Sequence, residues 1–247
     1  MKKIILYTLY FILAFCVFAI ALMPARFAVE QATLPKNLIL NGVNGIIWNA
    51  TIQQVANKDI TLNSVDLSLS FWSLLTFSPQ IHATFGDTLQ PGPLGKLTAT
   101  YSNKVLTIEN ADINVAVSDL LKNAKLIIPI EAKGSLDVHL DKVTLGKPIC
   151  SEVIGNVRWP KARVKSGKQN VALGTLTANL GCEKGALTLT IDENNDLGLS
   201  ITAYMHKAGR FKGNGTIKPG DKFPAELTPI LSFLGKPNRE GKYPLRL

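Results

Sequence analysis

A chain of 247 residues, 46% of them hydrophobic, can build one large domain and is too apolar to be disordered over most of its length. Its formal net charge of +9 falls to +7, on 24 basic and 17 acidic residues, once residues 1–30 are set aside. The excess is scattered, and its densest run, 158–168 (RWPKARVKSGK), has five bases but a single tryptophan. A nucleic-acid surface would interleave several aromatics with its cations, so no nucleic-acid partner is expected. A solvated cationic face, or loose attraction to anionic headgroups, accounts for the charge.

Residues 4–23 (IILYTLYFILAFCVFAIALM) carry no charge. A helix of about 20 residues spans roughly 30 Å, the thickness of a bilayer's hydrocarbon core. Lys2 and Lys3 stand just before the run, and cations stay on the cytoplasmic side. The expected order is a cytoplasmic tail (1–3), a transmembrane anchor (4–23), a juxtamembrane linker (24–37) and a periplasmic domain (38–247). Ala19, Ile20 and Ala21 offer a small-x-small cleavage site. The apolar run, however, outlasts the roughly 7–15 residues of a signal peptide and continues past that site, which points to a retained anchor. In either case the body of the protein is exported.

From about residue 38 the dominant signal is period-2 alternation. It runs through 65–71 (VDLSLSF), 97–101 (LTATY), 113–115 (INV), 136–140 (LDVHL), 187–191 (LTLTI) and 197–201 (LGLSI). Such alternation turns one face of a strand to a core and the other to water. Turn chemistry separates the runs at 86–87 (GD), 91–93 (PGP), 102–103 (SN), 193–196 (ENND) and 219–221 (PGD). The predicted fold is all-β: a long, mostly antiparallel curved sheet or meander of roughly ten or more strands. Alternation alone leaves a closed, sandwiched or open sheet equally allowed. The polar face is rich in Ser, Thr and Asn, suited to simple solvation or to contact with another protein.

Two short helices interrupt the pattern. One is expected from an N-cap at Ser118 and Asp119 to about Ala124. Another is expected between Pro224 and Gly235, limited or bent by Pro229. Residues 71–75 (FWSLL) read as a strand end turning a corner.

His82, His139 and His206 stand far apart, each on a strand-like stretch, without the i, i+4 partner of a zinc helix. No nucleophile elbow, P-loop or dinucleotide fingerprint occurs. The glycine-rich 209–215 (GRFKGNG) lies between strands and reads as a turn or bulge. Asp137 and Asp141 lie close in sequence, as a solvent-facing strand would place them. No catalytic residue, cofactor or metal is expected. Cys16 falls inside the apolar run, while Cys150 and Cys182 are the two cysteines of the exported part. An oxidising compartment favours a disulfide between them, closing a loop of about 30 residues; two buried free thiols are the alternative.

The order of features carries a resemblance. After the span comes 41–50 (NGVNGIIWNA), then a tryptophan segment with a Leu-Leu pair at 65–75. A Gly-Lys-Pro step then leads into 155–159 (GNVRW), followed by 173–176 (LGTL) and the C-terminal 231–245 (LSFLGKPNREGKYPL). Over nearly its whole length the chain resembles the protein N family of the bacterial type II secretion system, with Ile46 where the family's usual motif has Thr. The resemblance implies an accessory, non-catalytic inner-membrane component whose partners are other parts of the secretion machine. It carries over Gly45, Trp48, Gly155 and Trp159 as structural positions: each Trp a core anchor, each Gly a bulge or turn. The same outline is also similar to AsmA-type envelope proteins, in which a concave apolar sheet face would hold or transfer lipid.

Overall fold

The computed structural model describes residues 2–31, 37–57, 60–122, 131–166, 169–207 and 210–246. Residues 32–36 of the linker, Ala124 and Gly209 lie outside them.

The apolar N-terminus forms α1 (Lys2–Ala21). No part of Lys3–Ala21 is buried against the rest of the chain, and the helix is long and apolar enough to cross a membrane. The helix ends at Ala21 rather than at residue 23. There Met23 N–H bonds back to Ile20 O at 3.3 Å, and Pro24 pairs with Ile46. A short helix, α2 (Ala25–Gln31), follows and carries an exposed Arg26–Glu30 pair at 3.1 Å.

Strands then follow in an almost unbroken series. They begin with β1 (Ile39–Ile46), β2 (Asn49–Ala56) and β3 (Thr61–Leu69), followed by the helix α3 (Phe71–Leu75). Next come β4 (Gln80–Phe85), β5 (Leu94–Ser102), β6 (Val105–Ala116) and the helix α4 (Val117–Lys122). The middle of the sheet is β7 (Glu131–Lys133), β8 (Ser135–Leu145), β9 (Cys150–Ser166) and β10 (Gln169–Glu183). It ends with β11 (Ala186–Ile191), β12 (Leu199–Lys207), β13 (Arg210–Ile217), α5 (Thr228–Leu231) and β14 (Tyr243–Arg246).

All fourteen strands share one sheet, each pairing antiparallel with its sequence neighbour except that β6 pairs β8 and the short β7 pairs β9. Among the described residues β1 pairs only β2 and β14 pairs only β13, so the sheet is open. The expected turn sequences do separate strands. Residues 86–93 lie between β4 and β5, Asn103 and Lys104 between β5 and β6, and 192–198 between β11 and β12.

Three local expectations are corrected. Residues 71–75 form helix α3 rather than a strand corner. The ladder stops where Leu69 N–H reaches Trp48 O and Ser70 N–H reaches Gln80 O. Ser73 Oγ then donates to Ser70 O at 2.6 Å and accepts from Gln80 N–H at 2.9 Å, closing the turn. The stretch 224–235 is broken into 3-10 turns at Ala225–Leu227 and Ser232–Leu234 around the four-residue α5, as a proline inside a helix dictates. Gly213 and Gly215 lie inside β13, not in a turn, opposite Ala203 and Ile201. A Cβ on Gly215 would stand 2.5 Å from Ser200 O, so these glycines serve close approach of β12.

The core is thin. Its buried cluster is Ala162, Val171, Leu173 and Leu197, with Trp159, Val164, Leu176, Leu199, Phe223 and Leu227 packed against it. No polar or charged side chain is buried among the described residues. The accessible surface is 17271 Å², against about 11,000 Å² for a compact 26.8 kDa monomer. The bare α1 contributes part of that excess. The rest follows from a broad open sheet with a small buried cluster.

Candidate functional site

Following the register from strand to strand sorts the side chains into two faces. One row of directly opposed residues crosses the whole sheet. It starts as Asn44, Thr51, Asp66, Thr84, Lys96 and Asp112 on β1 to β6. It continues as His139, Asn156, Asn179, Thr190, Thr202, Asn214 and Arg246 on β8 to β14. Every member is polar. One residue along each strand, the row Phe85, Gly95, Ile113, Val138, Val157, Ala178, Ile191, Ile201, Gly215 and Leu245 has no polar side chain. The period of two keeps the faces apart over ten strands.

At the middle of the polar row the side chains lock together. His139 Nδ1 donates to Asp112 Oδ1 at 2.6 Å, and Nε2 lies 3.3 Å from Asp141 Oδ1. Asp112 Oδ2 also receives Lys96 Nζ at 3.3 Å. Beside them Asn114 Nδ2 donates to Asp137 Oδ1 at 2.6 Å, with Arg158 opposite Asp137 in register. All of these except Asp141 line a shallow cavity of about 530 Å³. Sequence reasoning missed this cluster. Asp112 and His139 are 27 residues apart, and only pairing of β6 with β8 sets them side by side. The available signal was Asp137, His139 and Asp141 at intervals of two, a spacing that puts all three on one face.

The hydrogen bond to Asp112 raises the His139 pKa above its ordinary 6.5, against partial desolvation and with the attraction of both carboxylates. The same bond and that from Lys96 hold Asp112 below 3.8. The sign follows from linkage: a raised imidazole pKa contributes stability below 6.5 that is lost as pH climbs through the folded-state value. The depressed Asp112 contributes above 3.8 and loses that contribution as pH falls through its folded-state value. The network is therefore complete between those limits. In an NMR titration His139 is expected to have its midpoint above 6.5, and Asp112→Asn is expected to move it down. A midpoint indifferent to Asp112→Asn would show that the pair does not form in solution.

A second junction ties the sheet to α1. Trp48, in the tight β1–β2 turn, donates its Nε1–H to Ala21 O, the last residue of α1, at 3.1 Å. Ile47 N–H bonds Met23 O at 3.0 Å. Gly45, just before the turn, has φ +88°, and a Cβ there would collide with Asn49 O, so glycine lets the hairpin close. Trp48 also packs on Phe71, ring centroids 5.4 Å apart. Trp159 stands elsewhere, donating to Lys133 O at 3.2 Å and packing on the buried cluster. Gly155 opposes Leu140 and Leu180, and a Cβ on it would stand 2.5 Å from His139 O.

The structure brings Cys150 and Cys182 together, Cα atoms 6.1 Å apart and sulfurs at bonding distance; Cys16 is exposed on α1. His82 is exposed on β4 beside Thr98 Oγ1, 3.0 Å away. Among the described residues no three His, Cys, Asp or Glu side chains are grouped to hold a metal ion.

Residues 36–246 match the family model described as "Type II secretion system (T2SS), protein N". A type II secretion system protein N of Aeromonas hydrophila is 27% identical, covering 100% of this chain and 98% of its own. Proteins of the same name from Pectobacterium carotovorum and Vibrio cholerae are 25% and 24% identical. They cover 93% and 99% of this chain and 90% and 97% of their own. No solved structure matches the chain. The chain belongs to the type II secretion system protein N family.

Proposed function

We propose that this member of the protein N family is an accessory, non-catalytic component of the type II secretion machinery, supporting export of folded proteins across the outer membrane. In this reading α1 holds it in the bacterial inner membrane. Residues 1–3 stay in the cytoplasm with Lys2 and Lys3, 24–37 link, and 38–247 work in the periplasm. That oxidising space maintains Cys150–Cys182 as a disulfide.

The observation that carries the reading is the uninterrupted polar row from Asn44 to Arg246. A sheet of this length offers a broad hydrogen-bonding face whose groups are unburied and available to partner proteins. The apolar row supports a second reading, in which acyl chains lie along it as in AsmA-like proteins.

Neighbouring residues on opposite faces discriminate the two. A photo-crosslinking residue is placed at Asn156 or Asn179, and at Val157 or Ala178, in full-length protein in the native envelope. Adducts are then identified as protein or lipid by mass spectrometry. Secretion components captured from Asn156 and Asn179 support the accessory role. Phospholipid captured from Val157 and Ala178, with no secretion component from either face, would move the function to the apolar face.

A further inference from the structure

Antiparallel pairing throughout sends the connections alternately to two rims of the sheet. The rim that meets the end of α1 carries the turns at 47–48, 70–79, 103–104, 146–149 and 184–185. Its first part is unusually apolar for a solvated loop. Trp72 is 74% exposed, Phe77 90%, Leu75 60% and Phe71 54%. Left in water, this much contiguous aromatic and aliphatic surface is unfavourable.

We propose that this rim seats the domain on the bilayer that α1 crosses, with Phe71, Trp72, Leu75 and Phe77 in the headgroup–acyl boundary and Lys104 among lipid phosphates. The inference rests on the reading of α1 as a membrane anchor, and three observations carry it further. The first is continuity. Trp48 bonds the last residue of α1 at 3.1 Å and packs on Phe71, which in turn meets Trp72 at 5.8 Å. The exposed aromatics therefore begin where the apolar helix ends, the depth at which tryptophan is enriched in membrane proteins.

The second is charge. The turns of this rim contain Lys104, Lys147 and Lys184 and no acidic residue. The opposite rim is mixed instead: turns 86–93 and 192–198 contain Asp87, Asp192, Glu193 and Asp196, and the connection 218–242 contains Lys218, Lys222, Lys236, Arg239 and Lys242 beside Asp221, Glu226 and Glu240. Lysines facing anionic headgroups are attracted to the surface, and carboxylates are better placed away from it. The third is construction. The 70–79 segment is held in place by Ser73 and by Tyr101 N–H on Pro79 O at 3.0 Å, and Ser78 Oγ meets Ser102 Oγ at 3.1 Å. A built loop presents its apolar side chains outward at little further ordering cost.

The test reconstitutes the full chain into nanodiscs of phosphatidylethanolamine and phosphatidylglycerol, with and without bromine on the acyl chains near the carbonyls. Wild type, Trp72→Phe and Trp159→Phe are compared by tryptophan emission, and alkaline extraction reports separately whether α1 is embedded. The expected result is a loss of wild-type emission in brominated lipid that is reduced by Trp72→Phe and proportionally larger in Trp159→Phe, whose removed residue lies toward the opposite rim. If α1 resists extraction while Trp72→Phe leaves the quenched intensity unchanged, the seating surface is wrong and the anchor stands. If α1 is extracted, both fall. Trp72→Phe is a conservative change at an exposed site, so loss of fold does not confuse the comparison.

Discussion

Reducing the Cys150–Cys182 pair, or replacing both residues by serine, is expected to lower the stability of the sheet domain by about 3–4 kcal/mol. The two cysteines are 32 residues apart in sequence, and closing a loop of that length restricts the unfolded chain by this order in the loop-entropy model. The position adds to the effect. The ladder between β9 and β10 ends at Gly155 and Leu180. Beyond it Cys150 pairs with β8 and Cys182 with β11. The bridge reinforces a junction at which Ile149 and Cys150 N–H both bond Gly185 O, just past β10, in a domain whose small buried cluster supplies little reserve. Denaturant unfolding of the full chain in detergent, with and without reductant, reads the change as a lower midpoint. Thiol counting under denaturing conditions tests the premise. One maleimide adduct, on Cys16, is expected before reduction and three after; three before reduction would remove the bridge from the account.

Trp159→Ala should cost about 3 kcal/mol, near the lower end of the range for truncating a large aromatic in a core. The residue is half-buried and packs on Ala162, Val171, Leu173 and Leu197, the one buried cluster recorded for the described residues. Truncation leaves a gap beside the buried cluster that the surrounding side chains fill only in part. Trp159→Phe keeps most of that contact and forfeits the bond to Lys133 O, an exposed bond worth at most about 1 kcal/mol. The contrast between the variants, read as denaturation midpoints at constant slope, separates a packing role from a contact role. Equal and small losses in both would mean that Trp159 is not an anchor of the core.

Much of this protein is legible without coordinates because its two strongest signals are local. Residues 4–23 are uncharged over a length that matches a bilayer. The runs 97–101, 113–115, 136–140 and 187–191 alternate strictly and each lies within a strand, while 65–71 overruns β3 into α3 and 197–201 begins before β12. What alternation cannot supply is register. It places Asp112 and His139 on polar faces of their own strands but does not say that they touch. That depends on the pairing of β6 with β8 and on irregularities in the pairing, such as the shift between Lys96 and Thr98, that re-aim the faces. The Trp48–Ala21 bond, the turn of 71–75 into a helix and the openness of the sheet are of the same kind. Each is set by groups distant in sequence that compete for the same backbone hydrogen bonds. The sequence by itself determined an apolar N-terminal helix, an antiparallel all-β body and its polar and apolar alternation, since spacing and turn residues act over a few positions. Only the tertiary structure decided which side chains meet across strands, where α1 joins the sheet and that β1 and β14 remain edges, because those outcomes sum many pairings along the whole chain.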